Sequence, residues 1–318
     1  MNFKLRQLGS TDVTSMTKLI ETAYESERQA NPLMPMKLLG EKRSLALYLE
    51  KCITNIVVGI EEEGKLLGYM GVSEIFPFKG QQTALMSEVS HATIAEDKKY
   101  LYESLYEEMG AWLKQKNTQL HIIANFAYDD TLKNTLYHLG FGLFLAERVR
   151  DTSAIRNVAN VEIVEESDFL SIQDLEMEHM KYYWNAPIYL NKDSSVEHAR
   201  KNLLENQKRR NKLFVCHEND SPAAYCIAGP CTGEGEGKGL ILGNTNTAAL
   251  LSVYAKPEVR NAGTGKALLD KAVAWARVDG YSRIFVEHET ANLIGSRFWE
   301  KHFRPYLYFS MRYVEKCS

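Results

Sequence analysis

Cysteine is scarce and badly placed for cross-linking. Its five positions, Cys52, Cys216, Cys226, Cys231 and Cys317, are odd in number and never form C-x-x-C, which argues against a disulfide framework or a zinc site. Long apolar runs are missing too. No stretch approaches the roughly 18 consecutive apolar residues of a membrane span. The opening MNFKLRQLGSTDVTS has no apolar core of a secretion signal, so a cytoplasmic chain without a membrane partner is expected. Neither sign of charge dominates: the net charge is −3 and the isoelectric point near 6.3. Such a balance gives no global drive toward nucleic acid. Low complexity is confined to Gly233–Gly239.

What is present is ordinary globular material, 45% hydrophobic and 25% charged over 318 residues, a length that suits about two domains. Residues 5–8 read as a short strand. Asp12 can cap a helix running to about Glu27, and Asn31–Met36 interrupts it before a second helix near Glu41–Lys51. Ile56–Glu61 and Leu66–Val72 read as a hairpin around Gly64. A strand at Leu85–Ile94, a helix at Tyr100–Lys116, a strand at Leu120–Asn125, a helix at Asp130–Leu139 and a closing strand at Phe141–Arg150 follow.

The same order then returns. Val161–Val164 opens it, Asp168 precedes a helix, and Tyr182–Pro187 interrupts that helix as Asn31–Pro35 interrupted the first. A helix at Val196–Gln207 leads to a hairpin, Leu213–Glu218 with Ala223–Ala228, and then to a glycine-rich loop, Gly229–Gly243, suited to a lid or a solvated turn. The period is that of a whole domain rather than a solenoid. The polar stretch Thr152–Ala159 marks the boundary, giving expected domains at 1–153 and 158–318.

Leu250–Leu269, LLSVYAKPEVRNAGTGKALL, organises the second half. An apolar strand breaks at Pro257, passes through Arg260, Gly263 and Gly265, and enters a helix from Lys266 to about Arg277. Glycines let successive backbone N–H groups point at one spot, and the helix start adds unpaired N–H groups and the positive end of its dipole. This is an anion cradle, and R-x-x-G-x-G is neither the Walker nor the dinucleotide pattern. Together with the strand Arg283–Glu289, Asn292 and the helix around Phe298-Trp299, the stretch resembles the acyl-CoA loop of the GNAT (GCN5-related) N-acetyltransferases.

The resemblance implies an α/β (α+β) protein of two tandem GNAT-like folds, each a mixed, mostly antiparallel sheet flanked by helices. It implies acetyl-CoA as acyl donor, no metal, and direct transfer to a primary amine of a small molecule through a tetrahedral oxyanion, by a monomer or homodimer. Alternatives are a CoA-binding sensor or scaffold without turnover, and a peptide or protein amine as acceptor. Aligning Trp275 with Trp112 lays Arg260, Gly263 and Gly265 on Asp97, Tyr100 and Tyr102. An acid and two rings cannot cradle pyrophosphate, so the first half is expected to be degenerate, a structural partner or a wall of the acceptor site.

For the second half the resemblance assigns donor binding to Val253, Tyr254, Ala255, Arg260, Asn261, Ala262, Gly263, Thr264, Gly265, Lys266, Asn292 and Phe298. The main chain at 253–255 would polarise the thioester carbonyl. An ammonium cannot attack, so a base is required. Glu289 is the first candidate and Glu287 the second, on one face of their strand with His288 on the other. Where many family members place a tyrosine acid, this chain has Phe298-Trp299, so either Tyr306 or Tyr308 substitutes or the thiolate leaves unassisted, which its modest thiol pKa allows. Tyr182, Tyr183, Trp184 and Tyr189 are candidate acceptor-binding rings.

Overall fold

The computed structural model describes residues 3–39, 44–233 and 240–315. In chain order the elements are β1 (Lys4–Gln7), α1 (Val13–Ala30), α2 (Leu45–Asn55), β2 (Val57–Glu62), β3 (Lys65–Gly71), β4 (Glu74–Phe78), β5 (Gln81–Met86), β6 (His91–Thr93), α3 (Lys98–Gln115), β7 (Leu120–Phe126), α4 (Asp130–His138) and β8 (Gly142–Asp151). Then come β9 (Val164–Glu166), α5 (Gln173–Tyr182), α6 (Val196–Lys208), β10 (Lys212–Glu218), β11 (Ser221–Pro230), β12 (Thr247–Ala255), α7 (Thr264–Val278), β13 (Arg283–Glu289), α8 (Leu293–His302) and β14 (Arg304–Tyr313).

The chain divides into two compact units. Unit 1 is Met1–Glu147 with Pro305–Ser318, and unit 2 is Arg148–Arg304. The expected domains closed the second half with its own last strand. Instead β14 pairs antiparallel with β7, from Leu307 opposite Phe126 to Tyr313 opposite Leu120. Choice of strand partner is a long-range matter that a local pattern does not encode.

In unit 1, β1, β2, β3 and β6 form one sheet, while β4, β5, β7 and β14 lie in that order in another. The single strand expected at Leu85–Ile94 is two strands, separated by a turn at Ser87–Ser90, and β4 was not foreseen. The helix expected at Glu41–Lys51 is α2; residues 41–43 lie outside the described residues. Leu101, Leu105, Met109 and Leu113 of α3 recur at helical spacing and pack on Val58, Ile60 and Met70.

Unit 2 holds the strand order β13-β12-β11-β10-β9, antiparallel except for β12 with β13. Leu268, Leu269, Ala272, Val273 and Ala276 of α7 pack with Ala224, Cys226, Ala248 and Leu250 on one face. Phe169, Ile172, Leu175 and Leu203 pack with Leu213, Val215, Tyr225 and Ile227 on the other. The alternation along β11, one residue to each face, is what assigns Tyr225 and Cys226 to different cores. Of the glycine-rich loop, residues 234–239 lie outside the described residues. Among the described residues no helix is long and apolar enough to cross a membrane.

Candidate active site

The site begins where two strands part. β12 and β13 pair in parallel only from Thr247 opposite Arg283 to Leu250 opposite Val286. Across from β11, Ile227 faces Ser252 while Ala228 faces Leu250, so Leu251 is the extra residue of a bulge. A bulge bends its strand and increases its twist. Val253, Tyr254 and Ala255 keep their partners on β11 and have none on β13. Their main-chain groups on that side therefore border a cleft of about 1490 Å³, lined wholly by residues of unit 2.

The floor of the cleft is the loop into α7. Asn261 has φ +62° and Gly263 φ +94°. The two left-handed residues turn the chain so that α7 starts at Thr264 with its axis on the cleft. The first helical bond joins Ala267 N–H to the Gly263 carbonyl at 3.0 Å, so the N–H groups of Thr264, Gly265 and Lys266 before it have no intrahelical acceptor. No side chain caps this end. Thr264 is buried and spends its hydroxyl on the Val259 carbonyl at 2.9 Å, which pins the loop.

The two glycines differ in function. A Cβ on Gly263 would lie 2.6 Å from the Ala159 Cβ, and its φ belongs to glycine; this glycine serves the fold. A Cβ on Gly265 would meet only the Phe298 ring, at 3.5 Å, an ordinary contact in a helical backbone. Its lack of a side chain serves open space above the N–H groups.

Arg260 lines the cleft and is anchored within the loop. Its Nε donates to the Ala255 carbonyl at 2.8 Å, and its guanidinium lies 5.1 Å from the Tyr182 ring centre and 5.6 Å from that of Tyr254. It ties the end of β12 to the loop. Lys266 reaches the Asn157 carbonyl at 2.8 Å. Asn292 caps α8 by accepting from Gly295 N–H at 3.0 Å and also accepts from the Tyr182 hydroxyl at 3.2 Å.

At the other end of the cleft, Glu289 pairs with Lys192 at 3.2 Å, and the Lys192 ammonium sits 3.6 Å over the Tyr183 ring. Burial, with the Glu289 charge beside it, pushes the Tyr183 phenol well above its ordinary value. Glu287 also lines the cleft. His288, between the two, is buried. It accepts from Arg148 Nε at 2.9 Å, and burial, then the Arg148 charge, pushes it down to about 4.

Of the four candidate rings, Tyr182 and Tyr183 line the cleft. Trp184 does not; its indole N–H donates to the Lys192 carbonyl at 2.9 Å, which holds the loop bearing Lys192. Tyr189 is 74% exposed and lies outside the cleft. Tyr306, expected as a catalytic group of the second half, is fully buried within unit 1 and hydrogen-bonded to Glu147. The partner of its strand is the reason: β14 belongs with β7. Tyr308 lies on the same strand, under the Lys133 ammonium at 5.7 Å.

Sequence reasoning missed a polar cluster on the α5 side. The Tyr225 hydroxyl donates to Glu176 and lies 2.9 Å from both Ser252 Oγ and His179 Nδ1. Ser252 Oγ donates to Glu176 at 3.4 Å. The His179 ring stacks on Tyr254 with centres 5.1 Å apart. Burial by itself would raise the Glu176 carboxyl, but its hydrogen bonds with His179, Tyr225 and Ser252 outweigh it and hold the carboxyl below its ordinary range. The one local signal was Glu176-x-x-His179, a spacing that places both on one helix face.

Two solved structures share the fold. A GCN5-related N-acetyltransferase from Sphaerobacter thermophilus aligns over 98% of this chain and 95% of its own at 11% identity, with a TM-score of 0.58. The glucosamine N-acetyltransferase region of a fungal multi-domain beta-N-acetylglucosaminidase aligns over 98% of this chain and 38% of its own, also at 11% identity, with a TM-score of 0.56. Identity this low speaks to the fold alone. No curated protein matches. The class is thus an acetyltransferase-type α/β fold with an open strand pair above a helix start. The sequence adds one finding to the fold: residues 172–303 match the model of the acetyltransferase (GNAT) family.

Proposed function

We propose that unit 2 transfers an acyl group, acetyl, from acetyl-CoA to the primary amine of a small molecule. The observation that carries this reading is that β12 parts from β13 after Leu250 and that the opened strand and the uncapped start of α7 line one cleft. The pyrophosphate of the donor would be held by the N–H groups of Thr264, Gly265 and Lys266, with Asn261, Ala262 and Gly263 shaping the approach. The pantetheine arm would lie between the separated strands, beside Phe298 and Asn292. The bound thioester supplies the electrophilic carbonyl. Main-chain groups at Val253, Tyr254 and Ala255, unpaired on the β13 side, would face its oxygen as that oxygen gains charge, the role of an oxyanion hole.

The amine would enter from the Tyr182 and Tyr183 side. Aromatic faces with a carboxylate at one end suit a protonated amine. Its proton must leave before attack, and two side chains of the cleft can accept it, Glu289 on β13 and His179 on α5. Unit 1, in this reading, supports the fold and binds no donor.

Calorimetric titration with acetyl-CoA tests the reading. The expected result is binding with one site per chain. Gly265→Glu, whose Cβ the fold accommodates, should weaken binding by about 100-fold or more, since a carboxylate near a phosphate costs a few kcal/mol at partly screened contact distance. Absence of binding by the unaltered chain would remove the acyl-transfer reading.

A further inference from the structure

We infer that His179 is the proton acceptor for the incoming amine, positioned by Glu176, Tyr225 and Ser252. The inference rests on the acyl-transfer reading and assigns the base within it.

Hydrogen-bond logic fixes the imidazole. The Tyr225 hydroxyl has one proton, and it goes to the Glu176 carboxylate. The Ser252 hydroxyl has Glu176 at 3.4 Å, the Tyr225 oxygen at 2.9 Å and His179 Nδ1 at 3.3 Å around it, and the shortest of these, the Tyr225 oxygen, can accept its proton. His179 Nδ1 is 2.9 Å from the Tyr225 oxygen, whose proton is already committed. Nδ1 must therefore be the donor, because two acceptors at that distance would repel. A neutral imidazole with its hydrogen on Nδ1 carries its lone pair on Nε2. Among the described residues Nε2 has no hydrogen-bond partner, although the side chain is only 7% exposed and lines the cleft. A carboxylate behind one imidazole nitrogen and a free lone pair on the other is the arrangement that general bases use.

Position supports the role. Ser252 and Tyr254 belong to the part of β12 that has left β13, and the His179 ring lies flat on Tyr254 and 5.2 Å from Tyr183. The base thus sits against the strand whose main chain would face the thioester. Glu289, by contrast, already has a partner in the cleft, the Lys192 ammonium at 3.2 Å.

The step balances. The ammonium gives one proton to Nε2, and the free amine attacks the thioester carbon. The carbon–sulfur bond breaks as the carbon–nitrogen bond is completed. The second amine proton neutralises the thiolate, and imidazolium returns its proton to water.

The test compares two probe acceptors with acetyl-CoA as donor. Benzylamine is an ammonium at neutral pH and needs a base. Hydroxylamine is largely unprotonated there and does not. With thiol release measured over the uncatalysed rate, His179→Gln should slow transfer to benzylamine by at least about 100-fold and to hydroxylamine by less than about fivefold, with acetyl-CoA affinity unchanged. Equal loss for both acceptors, or for neither, overturns the assignment, as does a selective loss in Glu289→Gln instead. Nitrogen NMR of imidazole-labelled protein gives a second reading that needs no acceptor. The signal lost in His179→Gln should report hydrogen on Nδ1, and hydrogen on Nε2 overturns the inference. Unaltered chain that fails to bind acetyl-CoA defeats the acyl-transfer reading itself, a result distinct from either of these.

Discussion

In unit 2, β12 runs unbroken from Thr247 to Ala255 past its bulge, while in unit 1 the matching path is cut into β5 and β6 by the turn at Ser87–Ser90. The two begin alike. Thr83 to Met86 pair in parallel with Leu120 to Ile123, four residues in step, as Thr247 to Leu250 pair with Arg283 to Val286. Beyond the fourth pair they diverge. Unit 2 opens a cleft. Unit 1 fills the gap with its own side chains: His91 Nε2 donates to the Ala124 carbonyl of β7 at 2.7 Å, while Nδ1 accepts from the Tyr102 hydroxyl of α3 at 3.1 Å. The helix starts diverge too. With Trp112 laid on Trp275, residues 98–100 fall on the loop 261–263, and in unit 1 they are already helical. The cradle has been wound into an extra turn of α3. The space that is a cleft in unit 2 is thus filled and wound in unit 1, and the glycines of the loop are replaced as well.

The sharpest way to break the comparison is at its shared feature, a left-handed residue before the helix. Gly263 has φ +94° and Asp97 φ +53°. Gly263→Ala meets both the conformational penalty and the Ala159 Cβ at 2.6 Å, and should cost about 3 kcal/mol in unfolding free energy. Adding Ala159→Gly should restore the part due to collision and leave the backbone part. A loss below about 1 kcal/mol for Gly263→Ala in denaturant titration would show that the loop is free to rearrange and that its shape is not fixed.

Acid should separate the units next. Burial pushes His91 and His121 of unit 1 and His288 of unit 2 down to about 4, from an ordinary 6.5. Each is neutral when folded and protonated when unfolded, so its contribution is present above pH 6.5 and is lost as pH falls toward 4. Unit 1 carries an opposite pair. Burial pushes Glu27 and Glu88 up to about 7 from 4.5, and their contribution is present below pH 4.5 and lost as pH rises through 7. Between pH 7 and pH 5 the two trends in unit 1 oppose. In unit 2 the loss from His288 is joined by a smaller one from His302, which burial also holds below 6.5, while Glu176 is held low. Hydrogen exchange resolved by segment should show unit 2 losing about 2 kcal/mol over that range and unit 1 less than half as much. Parallel loss in both would contradict the assignment of these buried groups.

Much of this was legible in the sequence where the signal is local. The strand, glycine turn and helix from Leu250 to Arg277, the hairpin at Gly64 and the cap at Asn292 each follow from residues a few positions apart. The mismatch of Asp97 and Tyr100 with the cradle was legible for the same reason. The missed features all need distance. Ser87-Glu-Val-Ser90 contains neither glycine nor proline, and the turn there is stabilised by Ser90 bonding back to the Ser87 carbonyl at 2.9 Å, within a strand that β-propensity favours. Tyr225 and Ser252 reach Glu176 across three elements. Lys192 meets Glu289 from a loop with no periodicity. Tyr306 went astray because a closing strand can add to either of two similar sheets.

The smallest expected effect tests whether unit 1 still holds the geometry of a cradle. Asp97 precedes α3 in the left-handed region without a side-chain bond to cap the helix, so it bears the conformational cost without the usual benefit of an aspartate there. Asp97→Gly should therefore stabilise the chain by somewhat under about 1 kcal/mol, as a rise in the denaturation midpoint at unchanged slope. It should not create a second acetyl-CoA site, because residues 98–100 are already helical and Tyr102 fills the space beside His91. A calorimetric stoichiometry that moved from one toward two per chain would mean that the acid alone had closed unit 1. An unchanged stoichiometry with a higher midpoint would mean that winding and filling came to matter more than charge, and that the first unit is committed to its own core.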